Sequence, residues 1–465
     1  MSARKAWHRF EVAFTGPFLT GQPLQVCIAD YSRIQESLGD ELSRSSSGWT
    51  YEGIKWKEID SYGSGGGYTN LVPLVLVNRE GEVLKQRLAE LQRARPEAEQ
   101  AWVDRAIDGW RWKLRTVRIE MYDFGVGVVT GTYDVTAPLW LRAEDTRRTA
   151  ESVARLINPL TGNRSAVATA YDLLTRETAA AFGQAVARCS EAKRQEPWMS
   201  PFLHALSDEN EARPGEGDAG AEWGRLLWLH PVFLLTADPR SSEERLRRIS
   251  RPFEATFSKT MPYWHGLFSP GIDSSVFVLH TNTERDKRVP MRLTRLMWAY
   301  YGLFMEMDRG LLGMLDSDEW QRPKPLAELE KDADRIFFVS TRVREARSRL
   351  DSALTDLAGG QLSMWETIAE VQKFDELVDA VEGKVEALRH LAERRVQEAA
   401  ASRARRTSNI LSALTALTVV TVAVTLLTSF LGNRTDTSGH LGLRAAVVAV
   451  AFFLAVAVYR EVQRR

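Results

Sequence analysis

The sequence predicts an α+β protein. A cytosolic α/β sandwich, of which a ferredoxin-like sheet is one form, leads into long antiparallel helices and a stalk helix that runs into a C-terminal two-helix transmembrane hairpin. Three observations carry this. Two apolar runs, 410–431 and 441–459, close the chain around a short loop. Ahead of them, from about 286 to 409, apolar residues recur at threes and fours with no strand pattern. Before 285, short alternating segments interleave with helical ones.

In chain order, residues 9–15 alternate as a half-buried strand does, and 24–29 read as a second strand. The glycines at 63–67 lead into a strand-like run at 68–78, so they form a hairpin loop; a phosphate-cradling loop would open a helix. Residues 82–110 are helical up to Pro96. Residues 117–136 carry the strongest β pattern, two strands turning near Gly125 and Gly127. Helices follow at 143–157 and 166–188, then a polar loop at 207–222, then strands at 226–236 and 274–281. These make one domain, 1–285.

The second region, 286–409, is helical throughout. Residues 291–315 are apolar on several faces, which marks a buried helix. Pro323 and Pro325 open a helix at Leu326 that Gly359 and Gly360 close. Met364, Ile368, Val371, Phe374, Val378, Val381, Val385, Leu388 and Leu391 then continue in heptad spacing. Gly383 is the only helix breaker between 361 and 410, so one uninterrupted stalk helix is expected to enter the third region, 410–465.

The first apolar run has 22 residues, about 33 Å of helix, enough to cross a hydrocarbon core. Arg403, Arg405 and Arg406 precede the hairpin and Arg460, Arg464 and Arg465 follow it. Both ends are therefore expected on the cytoplasmic side of a bacterial inner (plasma) membrane, in a multi-pass arrangement. Thr415, Thr418, Thr421, Thr425 and Thr428 share less than half of the first helix's circumference. Lipid gives no reason to sort residues by face, so the stripe faces water in a pore or packs against protein. A hydroxyl bonded to its own i−4 carbonyl is the plainer alternative.

Lys plus Arg and Asp plus Glu balance at 61 each, which argues against nucleic acid as the main partner. Two distant cysteines, Cys27 and Cys189, fit a reducing compartment. The first residues run straight into a strand pattern, so no leader peptide is expected.

The stalk, the junction from Asn409 through Leu414-Thr415 and Leu417-Thr418, the short outer loop and the basic tail resemble the CorA-type metal-ion transporter family. The resemblance implies a homopentamer with a cytosolic α/β domain and a pore lined by the first membrane helix. It places Thr415, Thr418, Thr421, Thr425 and Thr428 along the pore, Gly432 and Asn433 at its mouth, and Arg403, Arg405 and Arg406 around its inner end. The family's Gly-Met-Asn signature is replaced here by Leu431, Gly432 and Asn433, with Arg434 next, an arrangement unfavourable to cations. Two-helix proteins of this shape also resemble membrane effectors of bacterial conflict (defence) systems.

No catalytic pattern is present: no metalloprotease helix, no Cys-X-X-Cys, no nucleophile elbow and no Walker loop. The expectation is no enzyme, no cofactor and no metal site. Acidic runs at 330–334 and 375–382 are better read as wet helix faces than as cation sites. His230, in an apolar strand, reads as a bonded core histidine. The leading expectation is thus a homo-oligomeric CorA-like ion channel or transporter gated by its cytosolic domain. The alternative is a membrane-anchored sensor, scaffold or conflict-system effector without constitutive transport, whose cytosolic domain binds a protein or nucleotide. The lipid bilayer is a partner in both.

Overall fold

A computed structural model describes residues 8–20, 49–51, 74–79, 81–94, 110–122, 124–138, 166–189, 223–254, 258–263, 266–281, 283–316, 324–357 and 359–432, with single positions between and beyond. The strand expected at 24–29, the glycine loop at 63–67, the polar loop at 207–222, Asn433, and most of 143–157 and 441–459 lie outside the described residues. The chain divides into two compact units, Met1–Ser317 with Phe338–Glu386, and Asp318–Phe337 with Ala387–Arg465.

The first unit is built on a nine-stranded sheet: β1 (Arg9–Leu19), β2 (Trp49–Tyr51), β3 (Leu74–Arg79), β4 (Arg111–Met121), β5 (Val126–Thr136), β6 (His230–Thr236), β7 (Met261–Tyr263), β8 (Gly266–Ser269) and β9 (Ser275–Leu279). Their order is β2-β3-β4-β5-β1-β6-β9-β8-β7. Every neighbouring pair is antiparallel except β6 with β9. The mixed α+β class is as expected, but the sheet is far wider than the four strands of a ferredoxin-like unit. The β4–β5 hairpin turns where the two glycines predict: Gly125 has φ 80°, open to a residue without a Cβ, and Tyr122 N–H bonds Val126 O at 2.8 Å.

The helices are α1 (Glu82–Ala94), α2 (Ala166–Cys189), α3 (Glu243–Ser250), α4 (Glu284–Asp316), α5 (Leu326–Thr355), α6 (Gly360–Gln372) and α7 (Phe374–Gly432). Strand alternation assigns the two sheet faces. Phe10, Val12, Phe14 and Phe18 of β1 and Val117, Ile119 and Met121 of β4 join Leu84 of α1, Tyr171 and Phe182 of α2 and Leu246 of α3 in one core. Helix α4 packs across β1 and β5. It covers the other face, where Glu11, Thr15, Glu120, Thr130, His230 and Ser275 are buried. Because both faces are covered, β1 is buried at ten consecutive positions and its alternation is one of chemistry, not of exposure. Helix α4 starts before the predicted 291, with Pro290 in its second turn.

Gly16 of β1 lies directly against the backbone carbonyl of Trp228, which a Cβ there would overlap. Neither backbone can yield without opening the β1–β6 pairing. Gly16→Ala is expected to cost about 1–3 kcal/mol, read as a lower urea midpoint at unchanged slope.

The expected uninterrupted stalk is corrected at Lys373. There the chain takes φ 53°, ψ 40°, ending α6 before α7 begins at Phe374. Gly383, tolerated as expected, sits inside α7. The tertiary setting makes the break: Phe374 is buried among Tyr301, Phe304 and Trp365. In the second unit, Leu329 and Ile336 of α5 and Leu388 and Ala392 of α7 are among the buried apolar residues. Lys324 pairs with Asp332 at 2.8 Å, and Arg395 donates to the Arg322 carbonyl at 3.1 Å.

Candidate functional site: the C-terminal helix and its root

Helix α7 has 59 residues, about 88 Å at 1.5 Å each. Its sequence changes character along that length. The first part carries charged residues on its outer faces, the stretch 400–409 is fully exposed and holds Arg403, Arg405 and Arg406, and from Ile410 the helix is apolar. Among the described residues it is the one helix long and apolar enough to cross a membrane. Ile410, Leu411, Leu414, Leu417, Val419 and Val422 are all more than half exposed.

Each described hydroxyl of the stripe donates back to its own helix. Thr415, Thr418 and Thr421 bond the carbonyls of Leu411, Leu414 and Leu417 at 2.8 Å, and Thr425 bonds that of Thr421 at 2.7 Å. Ser429 continues the series onto Thr425 at 2.9 Å. Ser429 belongs to the stripe by its i+4 spacing from Thr425, a signal present in the sequence. Thr428 lies in α7 and Gly432 is its last residue.

A groove of about 1150 Å³ runs along α7 within the second unit. Its lining passes from Arg403 through Ser408 and Ser412 to Thr415, Ala416 and Ala423. At 100° per residue, Thr418, Thr421 and Thr425 fall on the opposite side of the helix from Ala416, Val419 and Ala423. Arg403 and Thr415 both line the groove, which winds part-way round the helix, and Thr418, Thr421 and Thr425 are not among its lining residues. Helix α7 has two different sides.

The root of α7 belongs to the first unit. Phe374 packs edge-on to Phe304 and Trp365 at 5.8 and 6.0 Å between centroids, with Tyr301 at 6.2 Å. Trp365 meets Tyr300 at 6.3 Å, and Tyr300 stacks on Phe124 of the β4–β5 turn at 4.5 Å. Lys384 pairs with Asp308 of α4 at 2.6 Å.

Beneath α4 lies a band of buried charge. Glu11 receives Lys287 at 2.7 Å and Arg115 at 3.1 Å. Glu120 meets Arg118 at 2.6 Å and Arg295 at 2.9 Å, and accepts from Tyr122 Oη at 2.9 Å. Burial alone would push the Glu120 carboxyl up; Arg295 and Arg118 outweigh it and bring it down to about 2. His230 shares a 2.9 Å hydrogen bond between Nε2 and Ser275 Oγ and lies 4.5 Å from the Trp298 ring centre. Burial lowers its pKa to about 3.

This histidine binds a proton more readily unfolded, near pH 6.5, than folded. Its contribution to stability is complete above pH 6.5 and is lost as pH falls towards 3, by about 1.4 kcal/mol per pH unit. Urea titrations between pH 7 and 4 should show that slope reduced by this amount in His230→Gln.

The acidic runs show no convergence. Asp332 pairs with Lys324, and Asp375, Asp379 and Glu382 are exposed on α7. Among the described residues no three His, Cys, Asp or Glu side chains gather as a metal site would require. Comparison with family models gives no match, and comparison with curated proteins gives none either.

Proposed function

We propose that the chain is one subunit of a homo-oligomeric membrane channel or transporter, CorA-like in organisation, whose conducting path is lined by the apolar part of α7 and governed by the first unit. The carrying observation is the two-sidedness of α7 from 410 onward. Hydroxyls at 418, 421 and 425 occupy one side, and a groove lined by Ser412, Ala416, Val419, Val420 and Ala423 occupies the other. A helix wholly surrounded by lipid has no reason to be sorted this way; one between a wet axis and a packing partner has. A water-soluble monomer rarely leaves so long an apolar run uncovered, which supports membrane embedding.

In this reading Thr418, Thr421, Thr425 and Thr428 line the path, Thr415 sits where its inner end meets the groove, and Gly432 and Asn433 form its outer mouth. Arg403, Arg405 and Arg406 ring the cytoplasmic end. The run 441–459 returns through the inner membrane, leaving both chain ends in the cytoplasm. Five subunits is the number the family resemblance implies. The ring of arginines and Arg434 make anions as natural a cargo as divalent cations.

A second reading has its own observation: every described stripe hydroxyl is already satisfied within its helix. On that account the hairpin only tethers a sensor, scaffold or conflict-system effector. The two separate when 410–465 is replaced by an unrelated two-helix anchor in the reconstituted protein. The channel reading predicts that all ion flux disappears. Flux that survives the exchange sinks it.

A further inference from the structure

We propose that Lys373 is a hinge between two forms of one helix: the bent form seen here, and a straight form in which α6 and α7 are continuous. Three independent observations meet at this residue. Lys373 is the non-glycine residue with positive φ among the described residues. A side chain with a Cβ disfavours that backbone by about tenfold or more. The sequence around it supplies no glycine or proline stop and no side-chain N-cap, and only Asp375 and Glu376 in the first turn of α7 favour a start there. Residues 369–377 contain no glycine or proline, and Lys373, at the N-cap of α7, has no oxygen to offer the first turn. Finally, the buried positions 364, 368, 374, 378, 381 and 385, with half-buried Val371, keep spacings of three and four through the break, while Trp365, Ala369 and Gln372 are buried on a second face of α6. A continuous helix would present them as one unbroken stripe. The local sequence therefore permits the straight form, and tertiary contacts hold the bend.

Those contacts can be named. Gln372 Nε2 donates to the Gly271 carbonyl, in the β8–β9 connection, at 2.7 Å and buried. Lys259 pairs with Glu370 on α6. Phe374, first residue of α7, fills the aromatic cage of Tyr301, Phe304 and Trp365. At the break itself the Lys373 N–H bonds the carbonyls of Ala369 and Glu370. Straightening breaks the Gln372 and Phe374 contacts together or in turn, and it relieves the unfavourable backbone. A shift of the β8–β9 connection is thereby converted into a change at the base of α7. The proposal stands on the first unit alone and holds whether or not α7 lines a pore.

The test is a distance measurement on the full chain in lipid nanodiscs, with Cys27 and Cys189 replaced and spin labels at Ser363→Cys and Glu382→Cys, both exposed. A straight helix separates these Cα atoms by about 28 Å; the bend brings them closer. Gln372→Ala, which leaves the aromatic cage intact, is expected to raise the long-distance population about fivefold or more. Lys373→Gly, which suits the bend and weakens the helix, should lower it about tenfold. Phe374→Leu provides a second release that retains an apolar side chain. A long distance that grows with Gln372→Ala or Phe374→Leu and shrinks with Lys373→Gly supports the hinge. One unchanged short distance in all four proteins overturns it.

Discussion

Glu120→Ala is expected to destabilise the first unit by about 3–5 kcal/mol. The carboxylate is 2 % exposed and holds two guanidiniums and a phenol. Removing it leaves Arg295, itself nearly buried, facing Arg118 with no counter-charge. Arg118 is about a quarter exposed and can turn towards water; Arg295 has no such escape. The loss should therefore be largely reversed by adding Arg295→Met to Glu120→Met, because an apolar pair of similar volume removes both buried charges and leaves only Arg118, which can reach water. A double-mutant cycle read by tryptophan fluorescence in urea measures this. Near-zero coupling between the two positions would show that the band under α4 is not a unit. The sign with pH also follows. The folded carboxyl lies at about 2 and the unfolded one near 4.3. The contribution is then complete above about pH 4.5 and is lost as pH falls towards 2.

Thr418→Val with Thr425→Val is expected to abolish conduction and leave assembly unchanged. Valine matches threonine in shape, and the carbonyls of Leu414 and Thr421 that lose a hydroxyl still accept their helical N–H bonds. The cost to α7 is small. In the proposed ring, however, the side facing the path would lose two polar groups per subunit, and a narrow apolar constriction empties of water. Flux should fall by at least an order of magnitude while the oligomer runs unchanged in size-exclusion chromatography. Equal losses of flux and assembly would point to dry helix packing as the role of the stripe.

Local pattern made some of this architecture legible in the sequence. The β4–β5 pair was readable because two strands and their turn are neighbours in the chain, with Gly125 at the corner. The apolar end of α7 was readable because 3.6-residue periodicity and length are local properties. The sheet order was not, since β1 pairs with β5 and β6 more than a hundred residues away and no short-range signal records that. Arg118 and Glu120 alternate with Val117 and Ile119, so they read as a wet strand face. That face is covered by α4, and the available clue was the basic series Lys287, Arg288, Arg292 and Arg295 at near-helical spacing. The break at Lys373 was invisible for a related reason. No glycine or proline marks it, and the contacts that hold it, to Gly271 and the aromatic cage, come from distant parts of the chain. For the candidate site, the threonine positions and their bonding to the i−4 carbonyls were readable, but the groove was not, because it depends on how α7 lies against Leu326.

The central claim is that α7 lines an ion path, and the most direct measurement is flux through the purified full-length protein in liposomes, with magnesium, potassium and chloride tested separately. The account predicts protein-dependent flux of at least one of these ions, lost in the Thr418→Val/Thr425→Val pair. Correctly inserted, oligomeric protein that moves none of the three, or that moves them equally well with both threonines replaced, would contradict it.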